Sequence, residues 1–274
     1  MKVVLFCGGF GLRMREASDR VPKPLIPVGQ EPIMLHIMKY YAHFGHTEFI
    51  LCTGYQGEVI RSFFENGPGN SLDGLVLARD GWAPDELLRQ ARDWKITFVD
   101  TGLNTNIGGR LRAVREYIGD DELFLANYSD VLTDAPLPAM IAGVREQEAV
   151  ASFLAVKPTY SFHVVSFDSG HRVRGIEAVS DADLWLNGGY FVLRREIFDY
   201  MQPGDELVEA PFRRLIEQDK LLGYRHQGFW APMDTLKDRQ TLNTMFETGQ
   251  RPWALWESHK DVAPATVSQA LIPA

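Results

Sequence analysis

"KVVLFCGGFGLRM", Lys2 to Met14, runs from an unbroken apolar segment straight into a cluster of glycines. The apolar part, "KVVLFC" (2–7), has the length and composition of a strand buried on both faces, as in the interior of a parallel sheet. In such a sheet the loop after the first strand opens at the carboxyl edge, where ligands bind. Gly8, Gly9 and Gly11 let backbone N–H groups approach phosphate oxygens and permit the positive φ values of such turns. Two cations follow. Arg13 offers a planar fork to phosphate oxygens. Lys23, ten residues further on, is a compact point charge between Pro22 and Pro24, which limit where its ammonium points. The glycines alone suit an ordinary tight turn equally well, and Lys23 alone suits a solvated loop. Together they are more specific. The loop fails G-x-G-x-x-G, because position 14 is Met, and it fails the P-loop pattern. Both failures argue against a dehydrogenase-type dinucleotide fold or a P-loop enzyme.

Outward from this stretch, strand-like and helix-like segments alternate. "PIMLHIMKYYAHFG" from Pro32 sets Ile33, Ile37, Tyr40, Tyr41 and Phe44 at helical spacing, with proline at the start and Gly45 at the stop. Strands are predicted at 47–53, 75–79, 95–100 and 122–127, and helices at 57–67, 108–119 and 136–147. This β-α-β order predicts a doubly wound parallel sheet with helices on both faces up to about residue 150. Beyond it, 149–156, 163–168, 172–178 and 184–193 read as strands with short turns, an antiparallel section joined to the sheet. A helix near 211–219, a strand near 221–226 and a helix near 235–248 follow. The expected fold is α/β, a Rossmann-like doubly wound mixed sheet in one domain over 1–256. The residues from 257 to 274 form a tail, mobile or in an oligomer contact.

The chain has 274 residues, 45% of them hydrophobic, enough for a large core. A net charge of −8 without a basic stripe argues against nucleic acid as a partner. No apolar run approaches the roughly 20 residues of a membrane helix, and no signal-peptide pattern is present. Cys7 and Cys52 each lie in a strand-like run and read as reduced core thiols. A cytoplasmic, disulfide-free enzyme or binding protein is expected. His36, His43 and His46 follow no metal-ligand pattern and read as surface or packing residues. His163 is a candidate to reach an acceptor.

Several blocks carry a resemblance: "GGFGLRM…PKPLIPVGQEPIMLHIM", "LCTGYQGEVIRSFF" (51–64), "VDTGLNTNIGGRL" (99–111), "LNGGYFVL" (186–193), "GFWAPMDTLKD" (228–238) and "RPWALWE" (251–257). In order, and over nearly the whole chain, they resemble the sugar-1-phosphate nucleotidyltransferases, and their details are most similar to the glucose-1-phosphate cytidylyltransferases. The resemblance implies a nucleotidyltransferase fold of the GT-A-like kind. About 1–150 would bind nucleotide, and about 151–256 would bind the acceptor and support a homo-oligomer. It implies attack of a phosphorylated acceptor on the α-phosphorus of a nucleoside triphosphate, with CTP as donor, Mg²⁺ as cofactor and pyrophosphate as leaving group. The residues alone do not fix the base.

By the same resemblance Gly8, Gly9, Gly11 and Leu12 lie along the triphosphate, Arg13 and Lys23 neutralise it, and Thr53 and Gly54 lie near the base. Gly109 and Arg110 touch the nucleotide, and Asp130 and Asp234 hold Mg²⁺. Asn187, Gly188 and Gly189 approach the sugar. On their own residues these positions stay open. Asp130 suits a turn or cap, Asp234 a helix cap, Arg110 an exposed helix face, and the glycines of 187–189 a strand bulge. The sequence departs from the family at Leu12 and Ile107, where the family has threonine, at Ser129 and Val131 around Asp130, and at Ser161-Phe162-His163. It also has Val179 where the family has a phosphate-binding lysine. Lys157, Arg172 or Arg174 would have to substitute. The expected acceptor is therefore other than plain glucose 1-phosphate: a modified sugar phosphate, a cyclitol phosphate or a phosphorylated alcohol. A catalytically lapsed nucleotide-binding homologue with a regulatory or scaffold role is the alternative. A glycosyltransferase would want a D-x-D-like motif, and "NYSDV" supplies one aspartate.

Overall fold

The computed structural model describes residues 1–9, 21–66, 93–159 and 162–260. The strand predicted at 75–79, the candidate site residues Gly11, Leu12 and Arg13, and the departure at Ser161 lie outside these. β1 (Lys2–Phe6) sits at the centre, as its unbroken apolar run requires. It pairs in parallel with β4 (Glu48–Thr53) on one side and β6 (Leu123–Tyr128) on the other. Alternate residues feed opposite cores. Val3 and Leu5 enter the layer built around α1 (Ile33–His43), while Val4 and Phe6 enter the layer under α3 (Ile107–Ala113). Burial of each such side chain contributes about 1.5–3 kcal/mol, which fixes both the strand and its register.

The described elements continue with α2 (Gly57–Asn66), β5 (Lys95–Asp100), α4 (Arg115–Ile118), β7 (Val131–Thr133) and α5 (Leu137–Glu146). Then come β8 (Ala151–Val156), β9 (His163–Phe167), β10 (Val173–Ala178), β11 (Leu186–Arg194), α6 (Ala210–Ile216), β12 (Leu221–His226), β13 (Trp230–Pro232) and α7 (Leu236–Glu247). A two-residue hairpin, β2 (Pro27–Val28) with β3 (Glu31–Pro32), precedes α1. No helix of the described residues is long and apolar enough to cross a membrane.

The central sheet has seven strands in the order β12-β8-β11-β6-β1-β4-β5. All neighbours run parallel except β11, which is antiparallel to both β6 and β8. The mixed α/β fold is as expected, but its later part is arranged differently. The strands near 151–156, 186–194 and 221–226 extend the one sheet, and of the four strands predicted between 149 and 193 β9 and β10 form a separate antiparallel pair. The reason is apolar content. β8 and β11 are buried almost throughout and must be covered on both faces, whereas β9 and β10 are mostly exposed.

The helix predicted over 108–119 is two short helices, broken at Val114 and stopped by Gly119 at φ 66°. The break still lets Leu111, Val114 and Ile118 all reach the second core. α1 begins after Pro32, and the chain turns out of it at Gly45, with φ 82°.

Candidate active site

Two very short strands decide the site. β7 and β13 pair antiparallel, with Val131 opposite Pro232, and Met233 N–H donates to Asp130 O at 2.9 Å. This pairing brings the residues just outside it, Asp130 and Asp234, side by side. Asp234 is not the cap of α7. Thr235 is, in a reciprocal capping box with Asp238, and Asp238 also accepts from the Asp234 N–H at 3.1 Å. The Asp234 backbone is thereby fixed and its carboxylate faces Lys23.

Lys23 lies in a 3-10 turn, Lys23–Leu25, between the two prolines. Its Nζ donates to Asp130 Oδ2 at 2.5 Å and to Asp234 Oδ1 at 2.7 Å. The side chain is 14% exposed. Burial works to lower its pKa, but the charges and hydrogen bonds of Asp130 and Asp234 outweigh it and hold the ammonium above its usual range. Lys23 is therefore a fixed cation at any physiological pH.

These groups border a cleft of about 770 Å³ at the carboxyl edge of β1 and β6. Gly8, Gly9, Asn187 and Gly188 are in its wall. Its described lining holds two cationic side chains, Lys23 and Arg110, and three acidic ones, Asp130, Asp234 and Glu206, for a net charge of −1. Among the described residues no cluster of three or more His, Cys, Asp or Glu suits a metal. Two carboxylates on one point, open to a cleft, do suit a hard divalent cation that takes its remaining oxygens from phosphates. Cys7 also borders the cleft, but burial pushes its thiol up to about 12, so it is no nucleophile at neutral pH.

Arg110 differs from its expected surroundings. It is buried rather than exposed on a helix face, and its donors are spent on protein oxygens. Nη1 bonds Thr53 O at 3.0 Å and Thr101 Oγ1 at 2.6 Å, and Nη2 bonds Gly8 O at 2.9 Å and Leu103 O at 3.4 Å. The guanidinium ties the ends of β1, β4 and β5 into one floor. Gly8 lies directly over it, and a Cβ there would collide with Nη1. Arg110→Ala is expected to cost about 3 kcal/mol or more, because several buried acceptors lose their donor. Urea denaturation measures it, and Arg110→Lys is expected to recover little, since an ammonium cannot reproduce the fork.

Other expected contacts are also taken up elsewhere. The Gly109 N–H donates to the Asn106 side chain at 2.8 Å, and the Ile107 N–H to Glu206 Oε2 at 3.2 Å. The start of α3 thus offers neither donor to a phosphate. Thr53 and Gly54 lie behind Arg110, outside the cleft wall. Gly189 is the bulge residue of β11, at φ 79°, and a Cβ on it would meet the Tyr128 ring at 2.5 Å. Gly189→Ala is expected to destabilise by about 1–3 kcal/mol, read as a lowered melting temperature.

Lys157 is not in the cleft wall but in a smaller pocket of about 370 Å³ that also holds His226 and shares Trp230 with the cleft. Its Nζ donates to Ala182 O at 2.6 Å, pairs with Asp183 at 3.6 Å and lies 4.9 Å from the Trp185 ring. Arg174 is paired with Asp168 at the exposed β9–β10 turn. Val179 and His163 are not in the cleft wall. Sequence reasoning missed Tyr128, Trp230 and Glu206. No local pattern marks them, because each is brought to the cleft by tertiary contacts.

Residues 2–235 match the family model of the nucleotidyl transferases, and the chain belongs to that family. Within it the chain is a sugar-1-phosphate nucleotidyltransferase, similar to glucose-1-phosphate cytidylyltransferases. It is 35% identical to the glucose-1-phosphate cytidylyltransferase of Salmonella typhi, over 94% of this chain and 100% of that one. It is 36% identical to the "Probable glucose-1-phosphate cytidylyltransferase" of Bacillus subtilis, over 93% and 100%. Among solved structures, a UDP-glucose pyrophosphorylase complexed with UDP-glucose superposes with a TM-score of 0.67 at 14% identity, covering 90% of this chain and 98% of that one. At that identity it speaks for the fold alone.

Proposed function

We propose that this nucleotidyltransferase joins CTP to a singly phosphorylated sugar or related polyol, giving a CDP-linked product and pyrophosphate. An acceptor phosphate oxygen forms a bond to the α-phosphorus as the bond from that phosphorus to the bridging oxygen breaks, and pyrophosphate leaves. Both reactants are anions, so the protein's task is to neutralise charge and align them. The observation that carries the reading is the convergence of Lys23, Asp130 and Asp234 on one point of the cleft.

Asp130 and Asp234 would hold a divalent cation, Mg²⁺ in this reading, which supplies Lewis-acid neutralisation of the phosphate oxygens. The described lining carries a net charge of −1, and such a cation would offset it. Lys23 gives the cleft its fixed positive charge beside the reacting phosphates. Gly8 and Gly9 keep the wall free of side chains. Arg13 adds a second cation by family resemblance. Arg110 acts as the brace of the floor. Asn187 and Gly188 border the acceptor.

The relatives are named for glucose 1-phosphate. The family's phosphate-binding lysine is absent at Val179, which lies outside the cleft wall, and Lys157 is not in the wall to replace it, so a modified sugar phosphate, a cyclitol phosphate or a phosphorylated alcohol is the better acceptor in this reading. Purified protein with Mg²⁺, each nucleoside triphosphate and a panel of such acceptors, glucose 1-phosphate included, is assayed for pyrophosphate release. CTP is expected to give the fastest release, and glucose 1-phosphate to be slower than the preferred acceptor. Absence of pyrophosphate with every triphosphate and acceptor contradicts the assignment.

A further inference from the structure

Glu206 puts a third carboxylate into the cleft, away from the Lys23 centre, and nothing in the proposed chemistry uses it. Its place is built. The Asn106 side chain donates to Gly204 O and Asp205 O, at 3.1 Å each, and Arg214 bonds Asp205 at 2.6 Å. Gly108 packs so closely on Asp205 O that a side chain there would overlap it. Glu206 Oε2 accepts the Ile107 N–H at 3.2 Å and Oε1 the Leu207 N–H at 3.1 Å. Each oxygen keeps a further acceptor direction.

Tyr128, which feels the charge of Glu206, is an uncharged polar group of the cleft. The Tyr128 hydroxyl, whose pKa is pushed up to about 12 chiefly by burial and then by Glu206, accepts from Asn187 Nδ2 at 3.4 Å. The two cations of the described lining are occupied, Lys23 by its aspartates and Arg110 by main-chain oxygens and Thr101. Among the described residues no cation forms an ion pair with Glu206. Burial raises the pKa of its carboxyl, the sign expected for an anion held without a counter-charge.

We infer that Glu206 is a specificity-determining residue: it accepts hydrogen bonds from neighbouring hydroxyls of an acceptor whose one anionic group is the reacting phosphate, and it excludes acceptors with a second anionic group. The inference rests on the acceptor chemistry proposed above. Two free acceptor directions on one carboxylate match a vicinal diol. A carboxylate or second phosphate in the same space would face a fixed like charge in a partly desolvated cleft.

The test uses acceptor pairs that differ by one anionic group: glucose 1-phosphate against glucuronic acid 1-phosphate, and myo-inositol 1-phosphate against myo-inositol 1,4-bisphosphate. The ratio of kcat/KM within a pair is read for the wild type and for Glu206→Gln, so that any loss of folded enzyme cancels. The member without the extra anionic group is expected to be favoured by about 100-fold or more in the wild type, and the ratio to shrink about 10-fold in Glu206→Gln, mostly through KM. Added salt is expected to narrow the wild-type ratio, which needs no variant. Equal use of both members by the wild type, or a ratio unmoved by both the substitution and salt, overturns the inference. No pyrophosphate from any member overturns the activity itself, and this inference with it.

Discussion

Lys23→Met is expected to lower kcat/KM for nucleotidyl transfer by about 10³-fold, or about 4 kcal/mol of transition-state stabilisation. The size follows from what stands around it. The terminal nitrogens of Arg110 are bonded to protein oxygens, whereas the Lys23 ammonium has three N–H donors and gives two of them to Asp130 and Asp234, which leaves one for a phosphate. Its charge is held between two carboxylates in a partly buried site, where an electrostatic contact is worth more than in water. Methionine keeps the volume of the stem and leaves the turn at Lys23–Leu25 intact, since that turn is set by the flanking prolines and by Ile26 N–H donating to Lys23 O. The far-ultraviolet circular dichroism spectrum is therefore expected to change little while turnover collapses, and the melting temperature to fall, because Asp130 and Asp234 lose their counter-charge. Steady-state pyrophosphate release with CTP measures the loss. A fall of less than about tenfold would mean that Lys23 only neutralises the aspartates and does not serve the reaction.

Asp130→Asn and Asp234→Asn are each expected to reduce turnover by about 10³-fold, through a different property. Both are nearly isosteric. The β7–β13 pairing uses the Asp130 carbonyl, and α7 is capped by Thr235 and Asp238, so each substitution removes one charge of the Lys23 cluster but no backbone pairing or helix cap. What each removes is half of a two-oxygen anionic site. The expected signature is a loss of divalent-cation affinity of at least about 10–100-fold, with a higher Mg²⁺ concentration needed for half-maximal rate. Lys23→Met keeps both carboxylates and is expected to keep that affinity within a few-fold. The double variant is expected to be little worse than either single one, because the two aspartates act as a unit. Additive losses would mean that they serve separate tasks.

How much of this was legible in the sequence depended on the range of the forces involved. β1, β6 and α1 were readable because their burial is written in consecutive or periodic apolar residues, with Pro32 and Gly45 as punctuation. The course of the chain after residue 150 was readable as strands but not as a topology. Apolar content placed β8 and β11 inside the sheet, while register and direction follow from partners far away in sequence. β7 and β13 are three residues each, too short to show a period, so the meeting of Asp130 with Asp234 could be expected only from family resemblance. Arg110 was read as a ligand or an exposed helix residue. Its burial depends on carbonyls of Gly8, Thr53 and Leu103 converging from three loops, which no local pattern reports. Glu206 was invisible for the same reason, since its loop is held by Asn106 and Arg214. Lys157 was expected as a substitute for the family's lysine, yet it lines the smaller pocket beyond Trp230 and not the cleft, and that too is set by tertiary contacts.

Binding of Mn²⁺ to the protein–CTP complex, followed by electron paramagnetic resonance, tests the central claim most directly. Tight binding in the wild type, retained in Lys23→Met and weakened at least about 30-fold in both Asp130→Asn and Asp234→Asn, is the predicted result. Equal Mn²⁺ affinity in all four proteins would contradict it, for the two carboxylates around Lys23 would then not be the place where a divalent cation meets the nucleotide.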